Sequence, residues 1–402
     1  MTDRISTGMM FSQSVSQMMS KQSKLSHLEQ QIATGSRIVT AKDDPIGAGT
    51  AVGLDRVVAG LDQLGKNANN VQNRLGMQEN ALSQANDLMA RAVELTIQAN
   101  TPVPQGTDLK AIVSELKGIQ DTLLSLANSK DGSGRYLFGG NSDADAPFLK
   151  AGGSVSYAGD QGQRQVEVAP GQLVSDALPG SEIFMRIRTG DGIVDASAAT
   201  GNTGSGLLTS ISRDGTDSWE GAPLQVRFTA AGEGAYEVLD DTGAVVATGI
   251  HEAGSDIVVG GVRMRLEGEP AAGDSFQITA AGSRDIFATL DTLVAALESD
   301  PQTATERTGM QNLLQSSIRD ITRASENMID ARAKGGAQLA AIEDAAAARE
   351  STKVTVKTTL STLRDLDYAD AIGQYKLETA ALQAAQTIFS QMQSMSLFNT
   401  IR

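Results

Sequence analysis

Cysteine is absent from this sequence of 402 residues, and aromatic residues make up only 4% of it. Without thiols the chain has no disulfide bonds, no cysteine nucleophile and no cysteine metal ligand. With so few aromatic rings, the hydrophobic core must consist mainly of aliphatic side chains. Runs of about 18 apolar residues are also absent, so the sequence predicts no membrane-spanning helix and we expect no membrane partner.

Basic residues are scarce in the middle of the chain. Residues 136–282 hold 8 basic and 20 acidic side chains, whereas residues 1–44 hold 5 and 4, and residues 363–402 hold 3 and 4. Without clustered lysine and arginine, a nucleic-acid partner is not expected. Like charges are unfavourable where identical copies pack closely. The charge distribution therefore predicts an exposed, acidic middle and self-associating, nearly neutral ends.

The first eight residues, MTDRISTG, lack the positively charged and apolar regions of a cleaved secretory signal. We therefore expect no cleaved signal peptide. A protein that is exported through recognition of an uncleaved N-terminal segment would also lack a cleaved signal. The sequence therefore leaves two locations open at this point, the cytoplasm and a site reached by such export.

Apolar residues repeat every 3.5 positions over residues 54–92, and only Gln78 interrupts the series. Such a seam predicts one long helix packed along another. The pattern resumes at residues 109–126, after two prolines, and again at residues 310–366. We expect the second helix to fold back along the first, with the third, distant segment completing the bundle.

Residues 136–282 hold 25 of the 41 glycines, among short runs of alternating apolar residues. This composition predicts an inserted β-rich domain. The run at residues 256–266 reads as a hairpin with a two-residue turn at Gly260 and Gly261. Helical patterning returns at residues 286–297.

The predicted fold class is therefore α+β: a long antiparallel helical rod, coiled-coil-like and built from both chain ends, with an inserted β-rich domain. We expect three parts. Residues 1–44 and 363–402 form terminal helices, residues 45–135 and 283–362 form the rod, and residues 136–282 form the inserted domain.

Both chain ends carry apolar stripes at helical spacing. The N-terminal stripe is Phe11, Val15, Met18, Leu25 and Ile32. The C-terminal segment has two stripes, one of Tyr368, Ile372, Tyr375, Leu382 and Phe389, the other of Leu377, Ala381, Ala384, Ile388, Met392 and Met395, followed by Leu397 and Phe398.

A helix that is apolar on two sides requires more than one partner. One N-terminal helix can cover one C-terminal stripe, so we expect the other to contact neighbouring molecules. A helical stripe is more often the core of its own fold, but these ends supply too few residues for a large independent core. The terminal stripes are thus the candidate assembly interface.

No segment has the pattern of a catalytic, metal or cofactor site. His27 and His251 lie in different predicted domains without a second type of ligand nearby in sequence. Residues 201–206 read as a flexible loop rather than a nucleotide site, and residues 240–243 as a turn rather than a calcium loop. Residues 42–45 read as a structural corner. We expect neither a metal nor a cofactor. A carboxylate-based glycosidase in the acidic middle is the alternative from a different class.

The sequence resembles the flagellin superfamily at both ends. The matching segments are RIST at residues 4–7, QIATGSRI at 31–38, AKDDP at 41–45, GRYLFGG at 134–140, DLDYADAI at 365–372, LQAAQ at 382–386 and MSLF at 395–398. The resemblance covers roughly residues 4–140 and 305–402. Within the superfamily, YLFGG and the ending SLFNTIR are more similar to the hook-filament junction branch than to filament flagellin. Thr2 and Asp3, which precede RIST, are a departure from the pattern.

The resemblance implies a non-catalytic structural subunit of the flagellum. In this family the terminal helices line the axial tube, the rod forms its wall and the β domain projects outward. The implied partners are copies of the same chain in a ring, a hook-associated protein on the hook side, flagellin on the filament side, and a cytosolic export chaperone at the C-terminal helix. The implied location is the extracellular flagellum, reached through the flagellar type III apparatus. Filament flagellin is the alternative within the family.

Overall fold

The computed structural model describes residues 7–101, 106–215, 219–230 and 233–399, with only the backbone for residues 7–8, 106–107 and 393–399. The chain divides into two compact units. One unit contains both chain ends, up to Lys66 and from Ala345, and the other contains Asn67–Asp344. The predicted α+β class is confirmed.

The described part of the chain contains six α-helices, which cover most of the predicted helical pattern. They are α1 Thr7–Thr34, α2 Pro45–Ala99, α3 Gly106–Ala127, α4 Ile286–Glu298, α5 Ala304–Arg364 and α6 Tyr368–Asn399. The three seams of 3.5-residue spacing lie in α2, α3 and α5, and the pattern at residues 286–297 is α4. The long helices predicted from the sequence are therefore confirmed.

Helix α2 begins at the corner that the sequence predicts. The Asp44 carboxylate accepts a hydrogen bond from the Gly47 N–H (2.8 Å), and Pro45 is the first helical residue. An acidic cap followed by proline is a favourable helix start, because the cap satisfies a free N–H and proline has none. The Asp43 carboxylate accepts bonds from the N–H groups of Val39 and Thr40. These bonds, that to Thr40 above all, lower the pKa of Asp43.

A hydrophobic core joins α2, α3, α4 and α5 within the Asn67–Asp344 unit. Its fully buried side chains include Leu82 and Met89 of α2, Leu116 of α3 and Leu314 of α5. Gln78, the interruption in the seam, is also buried. Its amide donates to the carbonyl oxygen of Leu178 (2.9 Å) and accepts from the N–H of the same residue (3.1 Å). A buried polar side chain in the seam is thus fully paired.

The segment that follows α3 contributes aromatic side chains to this same helical core. Phe138, Phe148 and Phe184 are buried, and the ring centroid of Phe184 lies 5.3 Å from that of Phe138 and 5.5 Å from that of Phe148. Phe148 also lies 5.8 Å from the ring of Phe287 in α4. Residues near the start of the predicted inserted domain therefore pack on helices. The boundary at residue 136 stays a prediction.

Fourteen short strands lie between α3 and α4 in the described part of the chain. They are β1 Phe148–Ala151, β2 Ser154–Tyr157, β3 Gln165–Ala169, β4 Gln172–Ser175, β5 Ile187–Arg188, β6 Val194–Ala198, β7 Leu207–Arg213, β8 Leu224–Phe228, β9 Ala235–Leu239, β10 Val245–Ile250, β11 Asp256–Val259, β12 Val262–Glu267, β13 Ser275–Ala280 and β14 Ser283–Arg284, with a π-helical turn at Ser181–Met185. The five-stranded sheet has the order β10-β9-β8-β13-β6, and the three-stranded sheet has the order β11-β12-β7. All pairs in both sheets are antiparallel, and their apolar faces form a second hydrophobic cluster.

The predicted hairpin at residues 256–266 is confirmed. Strands β11 and β12 pair with Val259 opposite Val262. The two turn residues, Gly260 and Gly261, have φ of 55° and 79°. Positive φ at both central positions is the conformation that favours glycine in two-residue hairpins. The alternate residues of β12 are buried, as one apolar face requires.

The turn predicted at residues 240–243 is also confirmed. The Asp240 carboxylate accepts from the N–H groups of Thr242 and Ala244, and the turn joins β9 to β10. Residues 201–206 form a loop as predicted. The Asp274 carboxylate, however, accepts from the N–H groups of Thr203 and Gly204. These contacts anchor the loop, contrary to the flexibility expected from its glycine content.

A buried cluster of charges connects α2 to the segment that follows α3. The Arg74 guanidinium is 6% exposed and lies 2.6 Å from the Asp131 carboxylate and 3.5 Å from that of Asp176. It also donates to the carbonyl oxygen of Tyr136 (2.8 Å). Arg164 pairs with the same Asp176 at 2.7 Å. Buried ions are tolerated only in such paired arrangements.

Asp320 of α5 is a second buried carboxylate, and it makes the stability of this unit depend on pH. It accepts from Arg284 at 2.7 Å and is 5% exposed. Burial raises its pKa to about 6, against an ordinary value of 3.8. A carboxyl group whose pKa is raised in the folded state stabilises the fold below the unfolded pKa, and that contribution is lost as pH rises through the folded value.

We expect Asp320→Asn to remove this dependence. Between pH 4.5 and 7.5 the free energy of unfolding of the wild type should fall by roughly 2 kcal/mol relative to the variant, because a shift of one pKa unit corresponds to about 1.4 kcal/mol and part of the contribution is already lost at pH 4.5. Urea denaturation at the two pH values measures the difference. A constant difference between the two proteins across that range would contradict the expectation.

Candidate assembly surface

Helices α1 and α6 pack side by side in the unit formed by the chain ends. The ring of Phe11 lies 4.9 Å from that of Phe389, and Lys21 Nζ lies 2.9 Å from a carboxylate oxygen of Glu378. Because later residues of α1 meet earlier residues of α6, the two helices are antiparallel. The Lys21 contact lowers the pKa of Glu378.

One apolar stripe of α6 faces α1. Tyr375, Leu382 and Phe389 are partly buried on the α6 side, and Leu25 of α1 is 8% exposed. Met392, which was predicted in the other stripe, is partly buried as well. On the α1 side the other predicted residues, Val15, Met18 and Ile32, are partly buried as well.

Polar contacts flank this stripe. The Tyr375 hydroxyl donates to the Glu29 carboxylate (3.0 Å), and this bond raises the pKa of Tyr375. The pairing of α1 with α6 therefore uses one of the two predicted stripes.

The second stripe of α6 is uncovered within this unit. Leu377 is 72% exposed and Ile388 is 58% exposed, and Ala384 between them is also exposed. Residues at spacings of 4, 7 and 11 share one helix face, which here also includes the partly buried Ala381. Exposed apolar residues in one continuous row indicate an interaction surface rather than isolated exposure.

Three other predicted residues are only partly covered. Tyr368, Ile372 and Phe11 are 51%, 41% and 47% exposed. The side chains of Met395, Leu397 and Phe398 lie outside those that the structure describes. The twelve predicted interface residues whose side chains are described thus divide between an intramolecular stripe and exposed positions, and the role of all fifteen in assembly stays a prediction.

The turns that precede α2 and follow α5 are joined to each other. The N–H of Arg37 donates to the carbonyl oxygen of Arg364 (2.8 Å), and the N–H of Leu366 donates to that of Gly35 (3.0 Å). The Arg37 guanidinium also donates to the carbonyl oxygen of Leu363 in the last turn of α5 (2.9 Å). These bonds hold the end of α1 next to the start of α6, and from this junction the two helices pack side by side.

Gly35 has a specific role in this junction. Its φ is +67°, and a Cβ atom there would lie 2.8 Å from the hydroxyl oxygen of Tyr368. Both the backbone conformation and the close approach therefore favour glycine. The segments QIATGSRI and DLDYADAI, which carry part of the family resemblance, meet at this point.

Sequence reasoning missed several exposed apolar residues of the same unit. Met9 and Met19 of α1 are 63% and 62% exposed, and Ile46 and Val52 of α2 are 82% and 52% exposed. Val57 belongs to the predicted apolar seam of α2 but is 45% exposed, so the seam is not covered at this position. The signal for Ile46 and Val52 was the absence of charged residues between positions 45 and 54, where an exposed helix normally carries them.

The other candidate sites have structural contacts. His27 lies 3.4 Å from the Asp43 carboxylate, and His251 is 7% exposed with its Nδ1 3.2 Å from the Ser255 hydroxyl. Among the described residues, no group of three or more histidine, aspartate or glutamate side chains is placed to hold a metal ion. No helix in the described ranges is long and apolar enough to cross a membrane.

Two comparisons with known proteins show that the chain is similar in sequence to flagellar proteins. A sequence profile for the bacterial flagellin N-terminal helical region matches residues 5–143. Flagellar hook-associated protein 3 of Salmonella typhimurium is 25% identical over 400 residues, which are 99% of this chain and 100% of that protein.

Solved structures extend the similarity to the fold. FlgL from Xanthomonas campestris is 59% identical with a TM-score of 0.71, over 77% of this chain and 99% of that one. The flagellar junction protein FlgL from Legionella pneumophila is 25% identical with a TM-score of 0.65, over 72% of this chain and 98% of that one. This chain therefore belongs to the FlgL family of flagellar hook-associated proteins.

Proposed function

We propose that this chain is a structural, non-catalytic subunit of the bacterial flagellum that forms the junction between hook and filament and polymerises through α1 and α6. The observation that carries the proposal is the uncovered apolar row of α6 at Leu377, Ala384 and Ile388. Membership in the FlgL family supports the place of the subunit, because a relative in that family is named as a flagellar junction protein.

Assembly would use the two stripes of α6 differently. The stripe at Tyr375, Leu382 and Phe389 pairs with α1 of the same chain, and the row at Leu377 and Ile388 would pack on a neighbouring copy. Burial of a leucine or isoleucine contributes about 1.5 to 3 kcal/mol. The backbone entropy lost on ordering, about 1 to 2 kcal/mol per residue, opposes assembly wherever the terminal helices are loosely held in the free protein. A neighbour that covers a whole row offsets that cost.

The finer parts of the proposal follow the family resemblance. Residues 1–44 and 363–402 would line the axial tube, residues 45–135 and 283–362 would form its wall, and residues 136–282 would project outward. The ring would contact a hook-associated protein on one side and flagellin on the other. Export would use the flagellar type III apparatus to an extracellular site, with a chaperone on α6 before export. The apolar row of α6 supports a chaperone, because an exposed row promotes aggregation.

Filament flagellin is the alternative within the superfamily. A flagellin of Escherichia coli aligns with 30% of the chain, whereas the hook-associated protein of Salmonella typhimurium aligns with 99% of it. This difference in extent favours the junction over the filament.

Immunogold electron microscopy of isolated flagella tests the proposal directly. With an antibody against residues 150–280, we expect one labelled band between hook and filament, and flagella from a strain that lacks the gene serve as the control. Label along the whole filament would make the chain a flagellin. Absence of label from the organelle would overturn the proposal.

A further inference from the structure

Strand β10 is an open edge of the five-stranded sheet. It pairs with β9 on one side, and no described strand pairs with its other side. The N–H and C=O groups along an unpaired edge can bind another extended chain. Strand addition of this kind is a common mode of peptide recognition.

The edge lacks the features that normally prevent such pairing. Val245, Val246 and Ile250 are 50%, 52% and 76% exposed, and β10 contains no charged residue and no proline. Outer strands are usually protected by charges, prolines or bulges. The only such feature in β10 is a register irregularity between Val245 and Ala247.

The other outer strands of the two larger sheets are protected by charge. Strands β6 and β7 contain Asp195 and Arg213. Strand β11 begins with Asp256, which pairs with Arg263 at 3.0 Å and with Arg265 at 3.3 Å. Among these four edges, β10 is thus the one whose sequence is free of charge.

A cavity of about 800 Å³ opens at the end of β10. Its lining includes three glutamates, Glu233, Glu252 and Glu269, together with Phe228 and His251, and no lysine or arginine among the described lining residues. His251 is 7% exposed, and its ring lies 5.9 Å from that of Phe228 in an edge-on arrangement. Its buried Nε2 atom makes no hydrogen bond among the described residues. Because Phe228 is only 2% exposed, the cavity offers mainly a concentration of negative charge, which suits a lysine or arginine side chain.

We propose that β10 and this cavity bind an extended, basic segment of another protein, which adds as a strand to β10 and places a lysine or arginine in the cavity. Main-chain hydrogen bonds would provide affinity, and the cavity would select the basic residue. Six strand residues span about 20 Å at about 3.3 Å each, so the bound segment has about six or seven residues.

A second copy of this chain does not fit the site. Antiparallel pairing of two β10 strands would bring Asp240 and Asp241 of one copy, which precede the strand, towards Glu252 of the other, which follows it. Residues 136–282 hold 20 acidic and 8 basic side chains, so two such regions also repel as a whole. Charge complementarity favours a basic partner of different sequence.

The experiment uses the full chain and two labelled peptides in fluorescence anisotropy. One probe has alternating valine and threonine between two terminal lysines, and its twin has glutamates at both ends. We expect the lysine peptide to bind at least tenfold more tightly, and raising NaCl from 0.05 to 0.5 M to remove most of the difference. Because binding is measured on the free protein, the outcome is independent of the proposed function in the flagellum.

Matched variants locate the site. Val246→Lys in β10 should weaken binding of the lysine peptide at least tenfold, whereas Val258→Lys in β11, whose valine is 49% exposed, should leave it unchanged. Glu252→Gln should reduce the preference for lysine, and Glu267→Gln, on an exposed position of β12, should not. Circular dichroism melting curves verify that each variant is folded.

The inference would be overturned by equal affinity for both peptides, by no binding at 1 mM peptide, or by equal effects of Val246→Lys and Val258→Lys. Self-association of the wild type that Val246→Lys abolishes would also overturn it, since the occupant would then be a second copy.

Discussion

Deletion of residues 366–402 is expected to abolish incorporation of the subunit into flagella while leaving the remaining chain folded. The deletion removes α6 together with the bond from Leu366 to Gly35. The hydrophobic cores of the Asn67–Asp344 unit contain no residue of α6, so their packing should persist. Circular dichroism and urea denaturation measure folding, and immunoblots of isolated flagella from a complemented deletion strain measure incorporation. Unfolding of the whole truncated protein would contradict the expectation.

A truncated protein can also fail because it is not exported, so point variants are needed. Leu377→Glu combined with Ile388→Glu places two charges in the uncovered row. Both native side chains are exposed, so stability should change by less than about 0.5 kcal/mol. Incorporation should fall at least tenfold, because a charge buried without a partner is strongly unfavourable.

Gln383→Glu is the matched control for the double variant. Gln383 is exposed and lies on the polar side of α6, away from the uncovered row, so this change should leave incorporation intact. Immunoblots of the culture medium show whether each protein is exported. Normal incorporation of an exported Leu377→Glu, Ile388→Glu protein would remove the uncovered row from the assembly interface.

The helices were predictable because their signals are local. Continuous 3.5-residue spacing predicts α2 and α5, and the sequence Asp44-Pro45 places the start of α2 to the residue. The turn at Gly260 and Gly261 was predictable for the same reason, since two adjacent glycines between alternating strands favour one type of turn.

The choice between the two stripes of α6 was not predictable. Both stripes have the same spacing and similar apolar content, so the sequence indicates two partners without saying which stripe α1 covers. Contacts between Phe11 and Phe389 and between Glu29 and Tyr375 decide the matter. They depend on how two segments more than 340 residues apart come together, which no local pattern encodes.

Contacts between polar residues that are far apart in the chain could not be predicted from the sequence either. In the sequence, Gln78 interrupts the apolar repeat of α2. Only its two hydrogen bonds to the backbone of Leu178 explain why a polar side chain lies there. In the same way, Arg74 reads as one more polar residue of a long helix. Its three carboxylate neighbours follow it by 57 to 102 positions in sequence, at Asp131, Asp143 and Asp176.

Arg74→Met is expected to be the most destabilising of the substitutions considered. The side chain is 6% exposed and contacts the carboxylates of Asp131, Asp143 and Asp176. Removal of one partner from a buried ionic cluster typically costs about 3 to 5 kcal/mol, because it leaves charge buried without compensation. Urea denaturation of the full chain measures the loss. Arg164 remains in the variant, so a result at the lower end of this range is expected.

Arg91→Met is the matched control in the same helix. Arg91 also contacts two carboxylates, those of Glu94 and Glu115, but it is exposed, and exposed ion pairs contribute little. We therefore expect Arg91→Met to leave the urea midpoint nearly unchanged. Arg74→Lys should not restore the wild-type midpoint, because one ammonium group cannot reproduce the several directed N–H bonds of the guanidinium.

The pH dependence of the Arg74→Met variant distinguishes loss of charge pairing from loss of packing. Although burial acts in the opposite direction, the N–H groups of Arg135 and Ser133 and the charge of Arg74 hold the pKa of Asp131 below its ordinary value. A lowered pKa stabilises the fold above the unfolded value, and the contribution is lost as pH falls. Without Arg74 the Asp131 carboxylate should take up a proton more readily. The difference in stability between wild type and variant should therefore shrink as pH falls from 7 to below the ordinary value of 3.8. A difference that stays constant over that range would mean that Arg74 acts through packing rather than charge.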